Sequence, residues 1–254
     1  MRIFCIDIGN TRTHCAAVDC GESFRVGSPA DFPSDSFAEM LSGRNLVEAS
    51  GADAVCWCSV VPKYSAVLKP ALEKFDTMQL TCENSPIKID IKAPQQLGQD
   101  RIADAVGAGV YLKAPYLVVD MGTAVTIDLV DENGSYAGGA IAPGMNAFSQ
   151  YLSQMTAQLP SINPADADCN LAIGKDTLEA MYVGCAKGFC KLVDGIIADI
   201  ESAYFGGKSA ADKTIFTGGS VELLPQNWLG GRRVDRNLAF IGLAKSFLFN
   251  RKKV

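Results

Sequence analysis

A chain of 254 residues that is 48% hydrophobic and 20% charged has globular proportions, with length for one large core or two modest ones. Its formal net charge of -5 leaves no broad basic surface for a phosphate backbone, which argues against nucleic-acid binding. Nine cysteines, an odd number with no CxxC pair, read as small apolar core residues in a reducing, cytoplasmic setting rather than as a zinc site or a disulfide framework.

The opening run MRIFCID is too short for a signal peptide, and no stretch approaches the roughly 18 apolar residues of a membrane span. A soluble protein that does not enter a membrane is expected. Segment 3–9, IFCIDIG, reads as a buried strand ending in a tight turn, and HCAAVD at 14–19 as its return strand. Segments 53–61 and 77–82 read as further strands with a helical stretch near 64–75 between them, and 101–112 as a helix beginning after Asp100. YLVVDMG at 116–122 then repeats the pattern of 3–9, an apolar run followed by Asp, any residue and Gly, again with a return strand, AVTIDLV, at 124–130. Asp7 and Asp120 stand nearly half a chain apart, so two related α/β lobes are expected, 1–113 and 114–254. Apolar residues from Leu178 to Tyr204 recur at intervals of three and four, predicting one long amphipathic helix, with Thr177 just before it in a capping position.

Three motifs bring chemistry-bearing residues together. In DIGNTRT, 7–13, Gly9 permits close backbone approach to a polyphosphate, Asn10 and Thr11 offer donors, and Asp7 can hold Mg²⁺ or its waters; the bland alternative is an Asx-type hairpin turn. DMGTAVT at 120–126 repeats the arrangement with Thr123 in the turn, and the pair is more specific than either copy. In LGQDRIADA, 97–105, Asp100 can take a proton from an attacking hydroxyl and Arg101 can pair with an anionic group, although an acid at a helix start is also an ordinary cap. The glycine pairs of GGAIAPGMNAF, 138–148, and IFTGGS, 215–220, permit close approach to a flat ligand or serve simple turns. A Walker A loop is absent, because Ser202 stands where the first glycine before Gly207, Lys208 and Ser209 is required. The sole histidine, His14, and its neighbour Cys15 fall on opposite faces of a strand and make no nucleophile–base pair.

Taken in order, DIGNT, GQDR, DMGTA, GGAIAPG, the MTAQLP segment, IGKDT and TGG resemble type III pantothenate kinase from residue 3 to about 220. The resemblance implies a two-lobed actin-like, ribonuclease-H-like ATPase fold, a homodimer, and ATP-dependent phosphorylation of the primary hydroxyl of pantothenate on the way to coenzyme A. It implies Asp100 as general base, with Gly98, Gln99, Arg101 and Thr177 binding substrate. It assigns Asp7, Ile8, Gly9, Asn10, Thr11, Arg12, Thr13 and His14 to the ATP phosphate loop, Thr123 to a further ATP contact, and Asp120 to a monovalent cation, potassium or ammonium, beside Mg²⁺. Two positions depart from the family: Ile91 stands where a tyrosine is frequent, three residues before Pro94, and His14 where some relatives are basic. Two other readings stay open, a regulatory relative that keeps the nucleotide cleft and a kinase of another small hydroxylated substrate.

Overall fold

The computed structural model describes residues 1–36 and 46–252; the lobe ranges drawn from the sequence also take in 37–45 and 253–254, which lie outside the described residues. Two compact units emerge, the first made of Met1–Leu112, Gly134–Ala137 and the chain from Asn237 onward, the second of Lys113–Asn133 and Gly138–Arg236.

In the first unit β1 (Arg2–Ile8) and β2 (Arg12–Cys20) form an antiparallel hairpin, extended by β3 (Phe24–Val26) and by β4 (Ala30–Pro33). On its other side β1 pairs in parallel with β5 (Ala54–Ser59), and β5 with β6 (Thr77–Gln79), giving the order β3-β2-β1-β5-β6 with β4 on β2. Strand β5 is buried at every position, as a parallel strand covered on both faces must be. One face of the sheet carries Phe4, Ile6, Ile8, Val55 and Trp57 against Leu68 and Leu72 of helix α1 (Pro62–Leu72). Each such side chain removed from water contributes about 1.5–3 kcal/mol. The alternate residues Ile3, Cys5 and Asp7 lie on the opposite face.

Helix α2 (Gln99–Ala108) stands where the sequence predicts a helix over 101–112, but starts two residues earlier and ends four residues sooner. It packs closely on the C-terminal helix of the chain, Leu238–Arg251, through glycines: a Cβ at Gly107 would strike the Leu238 carbonyl oxygen, and one at Gly242 the Ala103 carbonyl oxygen. This contact is why the last helix belongs to the first unit, a correction to the range 114–254 read from the sequence.

The second unit repeats the plan. Strand β7 (Tyr116–Met121) forms an antiparallel hairpin with β8 (Ala124–Val130), which β9 (Tyr136–Pro143) extends. On its other side β7 pairs in parallel with β10 (Thr214–Thr217), and β10 with β11 (Arg233–Val234). The order β9-β8-β7-β10-β11 matches β3-β2-β1-β5-β6 strand for strand. Helix α3 (Met145–Met155) follows β9, and helix α4 (Gly188–Tyr204) buries Phe189, Cys190, Val193 and Ile197.

The long helix expected from 178 is divided. A short helix, Thr177–Met181, passes into a π-helical segment, Tyr182–Lys187, before α4 begins. Gly184 and Gly188 weaken the α-helical preference there, and the wider turn keeps Met181 and Cys185 on the cluster with Ile162. Nine described cysteines are free thiols, six of them buried, in keeping with their reading as apolar packing groups. No described helix is long and apolar enough to cross a membrane.

Candidate active site

The parallel register of β1 and β5 sets Asp7 opposite Cys58 and Ile8 opposite Ser59. The Cys58 thiol donates to Asp7 Oδ1 at 3.2 Å. Burial pushes the Asp7 carboxyl up to about 7, the negative charge of Asp100 pushes in the same direction, and the Cys58 hydrogen bond opposes both. Asp7 and Asp100 therefore form an interacting acid pair within the first unit.

Glycine at position 98 makes room for Asp100. A Cβ there would strike Asp100 Oδ1, so only glycine lets the carboxylate fold back over the helix start, where Oδ1 accepts the Arg101 backbone N–H at 2.8 Å. Gly98 itself is the N-cap of α2 and Gln99 the first helical residue; Asp100 is not the N-cap, as its spacing had allowed. The exposed N–H groups and dipole of a helix N-terminus favour negative charge at that position. The Arg101 guanidinium lies 5.9 Å from the ring centre of Tyr136, which is itself buried. Gln99 Oε1 accepts from the Ser59 backbone N–H at 3.0 Å and from Gln79 Nε2 at 3.1 Å.

The turn after β1 is closed by Gly9, whose N–H donates to the Arg12 carbonyl at 3.0 Å; a Cβ on Gly9 would lie 2.9 Å from that oxygen. Asn10 and Thr11 are exposed at its tip. The remaining residues assigned to a phosphate loop divide by face. Ile8 and Thr13 are fully buried, and the Thr13 hydroxyl is 3.0 Å from that of Ser34, which donates to the Gly9 carbonyl at 2.7 Å. Thr13 thus braces the turn from inside. Arg12 and His14 reach Asp31 on β4, with Arg12 Nε 2.6 Å and His14 Nδ1 3.4 Å from its carboxylate oxygens.

In the second unit Asp120 occupies the place on β7 that Asp7 has on β1, with Thr217 of β10 opposite it in register. Gly218 follows at φ 93°, and a Cβ there would meet Asp120 Oδ1 and the Met121 carbonyl group. Gly144 is equally tight against the Gly122 and Thr123 carbonyl oxygens and donates its N–H to Thr123 O at 3.0 Å. Gly144 of GGAIAPG and Gly218 of TGG therefore both pack against the 120–123 turn itself. Thr123 is exposed at that turn.

Thr177 is the first residue of its short helix and not the cap. Asp176 is the N-cap, in an extended conformation, accepting the Glu179 N–H at 2.8 Å, while Glu179 Oε2 accepts the Lys175 N–H at 2.8 Å. With the cap at 176, Glu179 rather than Ala180 holds the third helical position, and a near-complete capping box results. The Thr177 side chain is left exposed.

The structure so brings Asp7, Gly98, Gln99, Asp100 and Arg101 together in the first unit, and Asp120 and Thr123 together in the second. Three supporting residues carried no motif of their own: Cys58, Ser59 and Gln79. Only the β1–β5–β6 register places them, and a parallel register is not written in local sequence.

The sequence profile of type III pantothenate kinase matches residues 3–199. The type III pantothenate kinase of Akkermansia muciniphila is 34% identical over 250 residues, covering 96% of this chain and 97% of its own length. That of Dehalococcoides mccartyi is 32% identical over 272 aligned positions, covering 100% and 97%. Among solved structures, a Campylobacter jejuni protein assigned to the Baf family of transcriptional activators superposes with TM-score 0.67 at 24% identity, covering 98% of this chain and 99% of its own. The activator of 2-hydroxyisocaproyl-CoA dehydratase from Clostridium difficile superposes with TM-score 0.55 at 11% identity, covering 100% and 98%. These likenesses concern the fold alone, that of the actin-like ATPases, with mixed sheets flanked by helices. Extended identity along nearly the whole chain, joined to a profile match over most of it, places this protein in the type III pantothenate kinase family.

Proposed function

We propose that the protein transfers the γ-phosphoryl group of ATP to the primary hydroxyl of pantothenate, the entry step to coenzyme A, with Asp100 as the general base. The observation that carries the assignment of Asp100 is its carboxylate, seated over a helix start by Gly98 and close enough to Asp7 for its negative charge to add to the burial that makes the Asp7 carboxyl a weaker acid. Phosphoryl transfer asks the protein chiefly for positioning and for relief of negative charge. An acid aligned on the substrate hydroxyl supplies the first.

The acid pair also fits a divalent cation. Burial and the negative charge of Asp100 both push the Asp7 carboxyl up to about 7, and a cation would relieve both costs; Mg²⁺ characteristically takes one or two carboxylates and completes its sphere with water and phosphate oxygens. Asp7 is the residue we assign to it, and when bound the ion neutralises charge on the transferring phosphate. The backbone N–H groups and side chains at Gly9, Asn10 and Thr11 are assigned to the ATP phosphates, and Arg12 and His14 lie on the same hairpin. Arg101 and Thr177 are assigned to pantothenate, Gly98 to shaping the base, and Thr123 to a second ATP contact. Asp120 is assigned to a monovalent cation, potassium or ammonium; its Oδ1 and the Met121 carbonyl oxygen both lie beside Gly218, two oxygens that such an ion could take.

A cytoplasmic homodimer completes the reading. Ile141, Tyr151, Met155 and Ile173 of the second unit are 60 to 69% exposed, the kind of apolar surface that a second copy would cover. The deciding assay is ADP release by the purified protein with ATP and Mg²⁺, with and without pantothenate, in potassium and then in sodium. Turnover is expected only with pantothenate and to be greater in potassium. In Asp100→Asn it should be nearly abolished with ATP binding largely intact. ATP consumption indifferent to pantothenate would reject the substrate, and comparable turnover by Asp100→Asn would reject the base.

A further inference from the structure

Helix α2 carries Asp100 at its second residue, so the placement of its first turn decides where the carboxylate sits. Its far half is fixed against the C-terminal helix, where Gly107 faces Leu238 and Gly242 of that helix faces Ala103. Its near end is held through Gln99. The Ser59 N–H can only donate, which identifies the Gln99 atom facing it as oxygen, and the Gln79 amide NH₂ supplies a second donor to that oxygen. Both lone pairs of the Gln99 carbonyl are thereby used within the protein.

The two donors come from adjacent parallel strands. Ser59 ends β5 immediately after Cys58, the residue that donates to Asp7. Gln79 ends β6 opposite Trp57 of β5, and its own backbone carbonyl accepts from Asn84 Nδ2 at 2.8 Å, while Asn84 Oδ1 accepts the Thr81 N–H at 2.8 Å. The edge of the sheet that holds Asp7 and the helix that holds Asp100 are therefore joined by one amide oxygen.

We propose that Gln79, which no catalytic motif contains, is a positioning residue for phosphoryl transfer, acting through Gln99 to fix the start of α2 and with it the Asp100 carboxylate relative to Asp7. Gln99 is correspondingly a tether and not a substrate contact through its carbonyl oxygen. The proposal rests on Asp100 being the base. A helix released at one end pivots about its other contact, and small misplacements of a catalytic group are costly because the reacting atoms must meet within narrow limits.

The test uses Gln79→Met and Gln79→Glu, which keep the length of the side chain and remove the donor, with Gln99→Ala and the corresponding double variants. One lost hydrogen bond should lower kcat roughly three- to tenfold, with KM for ATP and the thermal midpoint nearly unchanged. In the Gln99→Ala background the Gln79 substitutions should add nothing, since the contact is already gone. Unchanged kcat in both folded Gln79 variants, or losses that multiply in the double variants, would overturn the proposal; a Gln79→Met that does not fold leaves Gln79→Glu to decide. Asp100→Asn runs beside them: retained turnover there would overturn the base assignment and this proposal together, whereas a dead Asp100→Asn beside unaffected Gln79 variants would overturn the tether alone.

Discussion

Asp7→Asn should stabilise the metal-free protein, and more so at high pH. The unfolded carboxyl titrates near the model value of 3.8 and the folded one near 7, so between these values the folded protein holds a proton that the unfolded chain has released. Stability from this group is fully present below about 4 and falls as pH rises, until above 7 the whole cost is carried. Three pH units correspond to at most about 4 kcal/mol, and because Asp7 keeps part of its surface in water, about 1–2 kcal/mol is the expected effect. Asparagine keeps the shape and an oxygen for the Cys58 thiol while removing the charge. Urea unfolding with a chelator present, at pH 5 and pH 8, reads the difference as a shift in midpoint at constant slope. Mg²⁺ added at pH 8 should then stabilise the native protein and leave the variant unmoved. Equal effects of the substitution at both pH values, or destabilisation at pH 8, would refute the account of Asp7.

Two further substitutions separate roles that share one segment. Asp176→Ala removes the helix cap and should cost about 1 kcal/mol of stability, whereas Thr177→Val should leave the thermal midpoint in place and raise KM for pantothenate; a Thr177→Val that lowers stability instead would return that residue to a structural role. Gly218→Ala forces a Cβ against Asp120 from a backbone at φ 93°, and the expected result is loss of potassium activation out of proportion to loss of stability, read from ADP release in potassium and in sodium.

The strands were legible where burial makes a sequence apolar and short. IFCIDIG, AVCWCS and YLVVDMG are near-continuous apolar runs because their strands are covered on both faces, and the repeated Asp-x-Gly endings marked the two hairpins. Placement of the last helix was not legible, since what draws Leu238–Arg251 to α2 is the absence of side chains at Gly107 and Gly242, and a missing Cβ has no periodicity. The π-helical turn at 182–187 escaped for a related reason: spacings of three and four continue through it, and only the count of residues per turn changes. Asp100 could be singled out by its motif, but its neighbour Gln99 reads as another motif residue until the strands that it bridges are known to be adjacent.

The duplicated plan also shows how one framework yields two different carboxylates. Asp7 and Asp120 occupy equivalent ends of β1 and β7, each beside a parallel strand, yet the residue in register is a buried thiol, Cys58, in one case and Thr217, leading into Gly218, in the other. Behind Asp7 the chain places a helix start with a second acid; behind Asp120 it places a glycine at positive φ with the Asp120 carboxylate and the Met121 carbonyl beside it. Crowding two acids favours a small divalent ion that relieves their repulsion. A single acid beside a backbone carbonyl suits a singly charged ion, because a neutral dipole replaces water without demanding a second positive charge. The different cations we propose at the two turns rest on which element packs behind each hairpin, while the hairpins themselves stay alike.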